Sequence, residues 1–304
     1  MEISIVKAIQ SLACGFLDVI FWIITKLGEE TVFILVLMGI YLLYSQKFAI
    51  KYGILYLLSA GLNSIIKGII KRPRPHVASN EVANRLPAGG YSFPSGHSQS
   101  YFVQGSMITH EVNLKSDKKY ARVSVFWVIL FVGLCVMLSR LYWGQHYLTD
   151  TLVGASLGIV FFICAELLLS KLPQSFKDKF TLDRMYLFIL IVACVAFGGF
   201  FVLQLIKGVV KSKVYKISAV FIALGVGYFI NKKYIKYEQN WSEKKTVFKG
   251  LILYFIWALF LIITNLWLKP EGILIFVMYL LISLICTILL PLLFKRIWKK
   301  EKEL

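Results

Sequence analysis

The sequence predicts an all-α, polytopic membrane bundle of about nine spans, each of about 17–24 residues, the length a hydrocarbon layer demands. Three observations carry that expectation. The chain is 58% hydrophobic and only 16% charged, where a soluble protein of this size carries about 25% charged residues. Its mean hydropathy is +0.73, and the apolar residues fall in long blocks. The basic residues gather in short clusters between those blocks.

Apolar stretches cover 30–45, 48–70, 96–112, 121–139, 148–170, 185–206, 214–231, 247–268 and 272–294. The stretch 8–27 is broken by Lys7, Gln10, Asp18 and Lys26, which suits an interfacial or re-entrant helix as well as a tenth span. The chain therefore divides into an N-terminal segment 1–29, a core 30–170 and an extension 171–304 with four spans of unassigned role. Lysines and arginines in alternate loops, from Lys47 and Lys51 through Lys115–Arg122, Lys171–Arg184 and Lys232–Lys245 to Lys295–Lys302, place those loops and the C-terminus in the cytoplasm. Lys207, Lys211, Lys213 and Lys269 fall on the other side. The tail 295–304 reads as a charged flank for anionic lipid.

A net charge of +18 raises the question of nucleic acid, but positive-inside sorting accounts for most of it, and no nucleic-acid partner is expected. Cys14, Cys135, Cys164, Cys194 and Cys286 all sit inside apolar stretches at no ligand-like spacing. They read as small hydrophobes rather than a disulfide framework or a zinc site. The N-terminus does not read as a cleavable signal: Glu2 stands where positive charge is expected.

Three polar clusters interrupt the apolar pattern. Lys67 closes one stretch and is followed by Lys71-Arg72-Pro73-Arg74-Pro75. The two prolines stop the helix and force extended geometry, so the arginines can turn inward over its end; alone, this cluster also fits a snorkelling membrane flank. Pro94-Ser95-Gly96-His97 opens the next stretch. A helix start with Ser and Gly offers free N–H groups to an anion, and His97 stands on its first turn, placed to protonate a leaving oxygen. Ser139-Arg140 is followed by His146 and Asp150. Four apart, these two share a helix face, where a carboxylate fixes the imidazole tautomer and frees the other nitrogen as a nucleophile. Arg140 brings a planar fork suited to phosphoryl oxygens. A His–Asp metal pair is the rival, but neither His76 nor His110, the remaining histidines, completes a ligand set, and no metal or other cofactor is expected.

In this order and on one predicted face, the clusters resemble the type-2 phosphatidic acid phosphatase superfamily, which includes lipid phosphate phosphatases, undecaprenyl diphosphate phosphatases and the soluble vanadium haloperoxidases. Lys67 with Arg74-Pro75, Pro94 to His97, and Ser139-Arg140 with His146 and Asp150 match its three motifs without departure. The resemblance covers residues 48–170. It implies that His146 is the nucleophile oriented by Asp150, that His97 is the acid/base, and that Lys67, Arg74, Ser95, Gly96 and Arg140 bind the phosphoryl group.

An outward-facing site between apolar helices favours a phosphate carried on a lipid. Undecaprenyl diphosphate is the first choice, with phosphatidic acid, phosphatidylglycerol phosphate and sphingoid-base phosphates close behind. A phosphotransferase or a lipid transporter with a coupled phosphatase core are the alternatives. Loop residues Asn80, Glu81, Asn84 and Arg85 read as solvated polarity, Tyr142 and Trp143 as interfacial aromatics, and Gly154 and Gly158 as a close-packing stripe. Glu166 reads as a snorkelling group.

Overall fold

The computed structural model describes residues 2–208, 212–236, 244–268 and 271–293. Among these the chain is helical throughout, with no strand. It divides into two compact units: residues 1–33 with 52–172, and residues 34–51 with 173–304. The basic tail 295–304 and Lys211 and Lys269 lie outside the described residues.

The first unit starts with α1 (Glu2–Gln10) and α2 (Gly15–Lys26), which meet at a 120° bend. After Leu27–Glu29 comes α3 (Glu30–Gly39), which continues into a π-helical turn, Ile40–Tyr44; residues 34–51 of this stretch count with the second unit. α4 (Gln46–Ile70) ends at Lys71, whose φ of 52° breaks the helix ahead of the two prolines. The short α5 (Pro75–Ala78) follows Arg74 directly. Then come α6 (Gly96–Lys115), α7 (Lys119–Tyr142) and α8 (Leu148–Lys171).

α6 and α8 lie against each other so closely that two glycines have no room for a side chain. A Cβ on Gly154 would fall 2.5 Å from the Ser95 carbonyl oxygen, and one on Gly158 would fall 2.6 Å from that of Gln99. The expected close-packing stripe is thus seen. Phe102, Met137 and Ala155 fill the space where α6, α7 and α8 meet.

The polar residues of α6 turn toward α4. Asn63 Nδ2 donates to Gln99 Oε1 at 2.8 Å, Gln99 Nε2 donates to Ser59 O and Oγ at 2.8 and 2.9 Å, and Tyr52 OH donates to Gln104 Oε1 at 2.5 Å. Hydrocarbon offers no hydrogen bonds, so polar groups at this depth persist only where partners satisfy them. The outward faces of α7 and α8 carry exposed Phe126, Trp127, Phe131, Ile163 and Leu167, as lipid contact requires.

The second unit adds α9 (Gln174–Lys177), α10 (Leu182–Lys207), α11 (Ser212–Ile230), α12 (Lys244–Ile263) and α13 (Ile273–Leu284). α11 sits between α10 and α13. Tyr186 and Tyr228 stack at 4.1 Å between centroids, Phe197 stacks on Phe276 at 3.7 Å, and Trp257 Nε1 donates to Ser283 Oγ at 3.0 Å.

Among the described residues, six helices are long and apolar enough to cross a membrane, or seven if α1 and α2 form one broken span. The protein is an integral membrane protein. The sequence expectation of nine spans counts further stretches that fail this test for physical reasons. α6 is too polar, because its Gln and Ser side chains serve neighbouring helices. Glu30–Tyr44 and Gly250–Ile263 are apolar but short.

Candidate active site

His146 occupies the turn between α7 and α8. That turn requires Gly144, which has φ +69° and whose Cβ would collide with the Ala83 carbonyl. The imidazole is 2% exposed. Its Nε2 lies 3.3 Å from Arg74 Nη1. A guanidinium can only donate, so Nε2 carries the lone pair and the ring proton sits on Nδ1. Nδ1 faces Asp150 Oδ2 at 3.5 Å. The sequence-predicted pair therefore shares a face, with the basic nitrogen turned to the cations and the protonated one turned to the carboxylate.

Asp150 is fully buried, and both its oxygens are engaged. Oδ2 accepts from Ser92 Oγ and from the Tyr147 N–H at 2.9 Å; Oδ1 accepts from Arg72 Nη1 at 2.8 Å. Ser92 was invisible to motif reasoning because it stands just ahead of the Pro-Ser-Gly-His element.

Three cations converge on the ring. Arg74 donates through Nε to Gly90 O at 3.1 Å, through Nη2 to Gly89 O at 2.7 Å and through Nη1 to Gln145 O at 2.9 Å. Lys67 Nζ donates to Tyr91 O at 2.8 Å and Ser92 O at 3.1 Å. Both are held by the 76–93 loop, with few donors left over. Arg140 differs. It is 3% exposed, and Nη1 donates to Thr25 Oγ1 at 2.6 Å, while its buried Nε has no hydrogen-bond partner among the described residues. A buried, permanently charged donor without an acceptor is costly unless an anion takes it. Glu29, paired with Lys26 at 2.9 Å, lies close enough to act on the Arg140 charge.

Burial, followed by the charges of Arg140, Arg74 and Lys67, holds the His146 ring well below the usual histidine range. The ring is therefore neutral, and Nε2 is a free base, at neutral pH.

Ser95 caps α6, its Oγ accepting from the Ser98 N–H at 3.4 Å and from Ser98 Oγ at 3.0 Å, and its own N–H donates to Asp150 O at 2.9 Å. That bond ties the α6 start to the α8 start. Gly96 sits against Asn63. His97, half-buried on the first turn of α6, is packed by the chain between α2 and α3: a Cβ on Gly28 would fall 2.8 Å from His97 Cβ. Among the described residues no three His, Cys, Asp or Glu side chains gather at one point.

Several side groups differ from expectation. Tyr142 and Trp143 are buried rather than interfacial, because α2 packs on the end of α7; Tyr142 OH donates to Asp18 at 2.5 Å and Trp143 Nε1 to Phe21 O at 3.4 Å. Arg85 forks onto Asp18 at 2.7 and 2.9 Å, Glu81 pairs with Lys7 at 3.1 Å, and Asn84 accepts from Gln145 at 3.1 Å, so this loop is pinned more than solvated. Glu166 meets His110 at 3.6 Å.

Residues 48–174 match the PAP2 superfamily. An undecaprenyl-diphosphatase of Bacillus subtilis is 30% identical over 178 residues, covering 55% of this chain and 86% of that protein. The chain belongs to the PAP2 superfamily. A phosphatidylglycerophosphatase B of Bacillus subtilis is 32% identical over 123 residues, 38% of this chain and 56% of that protein. The solved structure of a transmembrane PAP2-type phosphatidylglycerolphosphate phosphatase from Bacillus subtilis shares the fold, with a TM-score of 0.50 at 24% identity, covering 57% of this chain and 86% of that one. Against several relatives the chain spans only about half of their length.

Proposed function

We propose that this membrane protein hydrolyses a lipid phosphate or diphosphate through a phosphohistidine on His146, at the extracytoplasmic face of the cell membrane, with undecaprenyl diphosphate the favoured substrate. The observation that carries this reading is the neutral His146 ring, its Nε2 turned to Arg74 and its Nδ1 backed by Asp150. The relative named undecaprenyl-diphosphatase, nearly all of whose length is matched, supports the substrate.

In the first step Nε2 attacks phosphorus and the bond to the leaving oxygen breaks, while His97 gives that oxygen a proton. The phosphohistidine keeps its proton on Nδ1, and Asp150 stabilises the resulting positive ring. In the second step His97 takes a proton from water, the hydroxide attacks phosphorus, the P–N bond breaks and inorganic phosphate leaves. Both histidines return to their starting states. Arg140, Arg74, Lys67 and the Ser95–Gly96 helix start stabilise the equatorial oxygens, the main work of phosphoryl transfer. The hydrolytic core is residues 30–170. The alternation of basic loops supports an outside site and a cytoplasmic C-terminus in this reading.

The test is phosphate release by purified protein across lipid mono- and diphosphates, with and without EDTA, with His146→Ala as control and vanadate as competitive inhibitor. Release that persists in EDTA and disappears in the variant is expected. Loss to EDTA with recovery on magnesium defeats the mechanism, and release only with an added acceptor lipid turns the reading to phosphotransfer.

A further inference from the structure

The family match begins at residue 48, yet the first 28 residues reach two motif side chains and a third residue that stands beside a motif. Thr25 holds Arg140, Gly28 packs on His97, and Glu2 grips Arg72. The third contact has a consequence that the motif does not contain.

Arg72 and Arg74 leave the same extended Arg-Pro-Arg-Pro strip and part company. Arg74 goes to Nε2 of His146, while Arg72 goes to the carboxylate behind the ring. The Arg72 guanidinium is fixed from several directions. Nη1 donates to Thr149 Oγ1 and to Asp150 Oδ1, both at 2.8 Å, Nη2 donates to the Glu2 carboxylate, and the plane rests 3.8 Å over the Tyr147 ring. Glu2 is itself seated on the first turn of α8, taking the Thr149 N–H at 3.1 Å and Oγ–H at 2.6 Å. The helix that carries it is anchored by Lys7 to Glu81, by Gln10 to Ala83 and Tyr142, and by Val6 against Val82 and Leu141.

We infer that Arg72, steered by Glu2, is a positioning residue: it holds Oδ1 of Asp150 so that Oδ2 stays turned to Ser92, the Tyr147 N–H and Nδ1 of His146. A carboxylate can rotate, and Oδ2 serves the imidazole only while Oδ1 is held. The planar fork suits this, since one edge must reach Thr149 and Asp150 while the other reaches Glu2. Glu2 has a second effect. Arg72 is a fourth cation near the phosphate cradle, and pairing with Glu2 keeps it off the phosphate and on the carboxylate. The N-terminal helix is by this account part of the catalytic apparatus.

The inference rests on the reading of His146 and Asp150 as nucleophile and orienter, and its test separates the two. Full-length Arg72→Gln, Arg72→Lys, Glu2→Gln, the double variant Glu2→Gln/Arg72→Gln and His146→Ala are assayed for kcat and KM on one lipid diphosphate, with thermal melting in detergent as the fold control. Arg72→Gln is expected to lower kcat about 10–100-fold, the size typical of losing the outer partner of an oriented histidine, with KM within about two-fold. Glu2→Gln should lose about 3–10-fold and nothing further on the Arg72→Gln background, because it acts through Arg72. Arg72→Lys should recover part of the loss. Should Arg72→Gln not fold, Glu2→Gln and Arg72→Lys still decide the matter, by lowered kcat at unchanged KM. A raised KM at unchanged kcat would make Arg72 a phosphate ligand and overturn the inference. So would full additivity of the two losses, or unchanged kinetics. Activity surviving in His146→Ala sinks the reading of His146 as nucleophile instead.

Discussion

The two units of this chain handle buried polarity in opposite ways. In the first, charged groups from distant parts of the sequence are drawn to one point: Lys67, Arg74 and Arg140 act on a single imidazole, which is backed by Asp150 and, behind it, Arg72. In the second, the fully buried polar side chains among the described residues are neutral, and several polar groups pair in small local sets. Trp257 donates to Ser283, Thr287 Oγ1 to the Ser283 carbonyl at 2.7 Å, and Asn265 to Tyr279 at 2.8 Å. All four π-helical turns among the described residues, at 40–44, 231–235, 264–268 and 285–289, also fall there. Polar residues in a membrane are expensive in either place. Convergence of like charges, which no fold needs for its own sake, is what makes the first unit the candidate site.

That contrast can be broken most forcefully at the ring itself. His146→Ala is expected to cut phosphate release by about 10⁴-fold or more, as loss of a nucleophile does elsewhere; a smaller loss in a lipid-diphosphate assay would move chemistry away from the convergence. Arg140→Ala should cost about 10²–10³-fold in kcat/KM, the range for losing a donor to developing charge. Thr25→Val, which frees the Arg140 fork without removing it, should cost less. Equal losses would mean that Thr25 does more than hold the fork.

pH sharpens the same point. Because His146 is held neutral well below the usual histidine range, it stays unprotonated as pH falls through about 6.5, and the acid limb it sets in kcat/KM lies lower. Arg74→Gln removes a cation beside the ring, eases protonation and should move that limb to higher pH, whereas Arg74→Lys should not. For stability the direction is the same as for a salt-bridged carboxylate, a loss as pH falls, but it comes at the histidine range. Below about pH 6.5 the unfolded chain takes a proton at His146 that the folded one refuses, so this group favours unfolding as pH drops and is silent above that.

Smaller effects test the packing and the second unit. Gly154→Ala must displace the Ser95 carbonyl and should cost about 1–3 kcal/mol of stability, read as a lower melting temperature. Lys216→Met, in the second unit, should leave kcat/KM within about two-fold, as substitutions away from a site do. A ten-fold loss there would mean that the contrast between the units is drawn in the wrong place.

Much of the site was legible in the sequence because its residue types admit few other uses. Arg74, His146 and Asp150 come together as the spacing and the prolines imply, and Gly154 and Gly158 pack as their interval suggests. What stayed hidden depends on partners far apart in the chain. Nothing local marks Ser92 as the hydrogen-bond donor to Asp150, Thr25 as the anchor of Arg140, or Glu2 as the counter-ion of Arg72. The six helices that pass the length and apolarity test among the described residues fall short of the nine expected spans for a related reason. Hydropathy sees the glutamines of α6 as polar but not that Ser59, Asn63 and Tyr52 satisfy them, and length rules cannot foresee helices interrupted by π turns, such as α3 and α12.

Under the proposed hydrolysis, the seam between α6 and α8 bears on how a substrate would arrive. With the Ser95 and Gln99 carbonyls resting on Gly154 and Gly158, the two helices that bear His97 and Asp150 meet there with no room for a side chain between them. In that reading a lipid phosphate brings its head group up to walls already in contact, and tail-less oxyanions of the right shape should fit between them unaided.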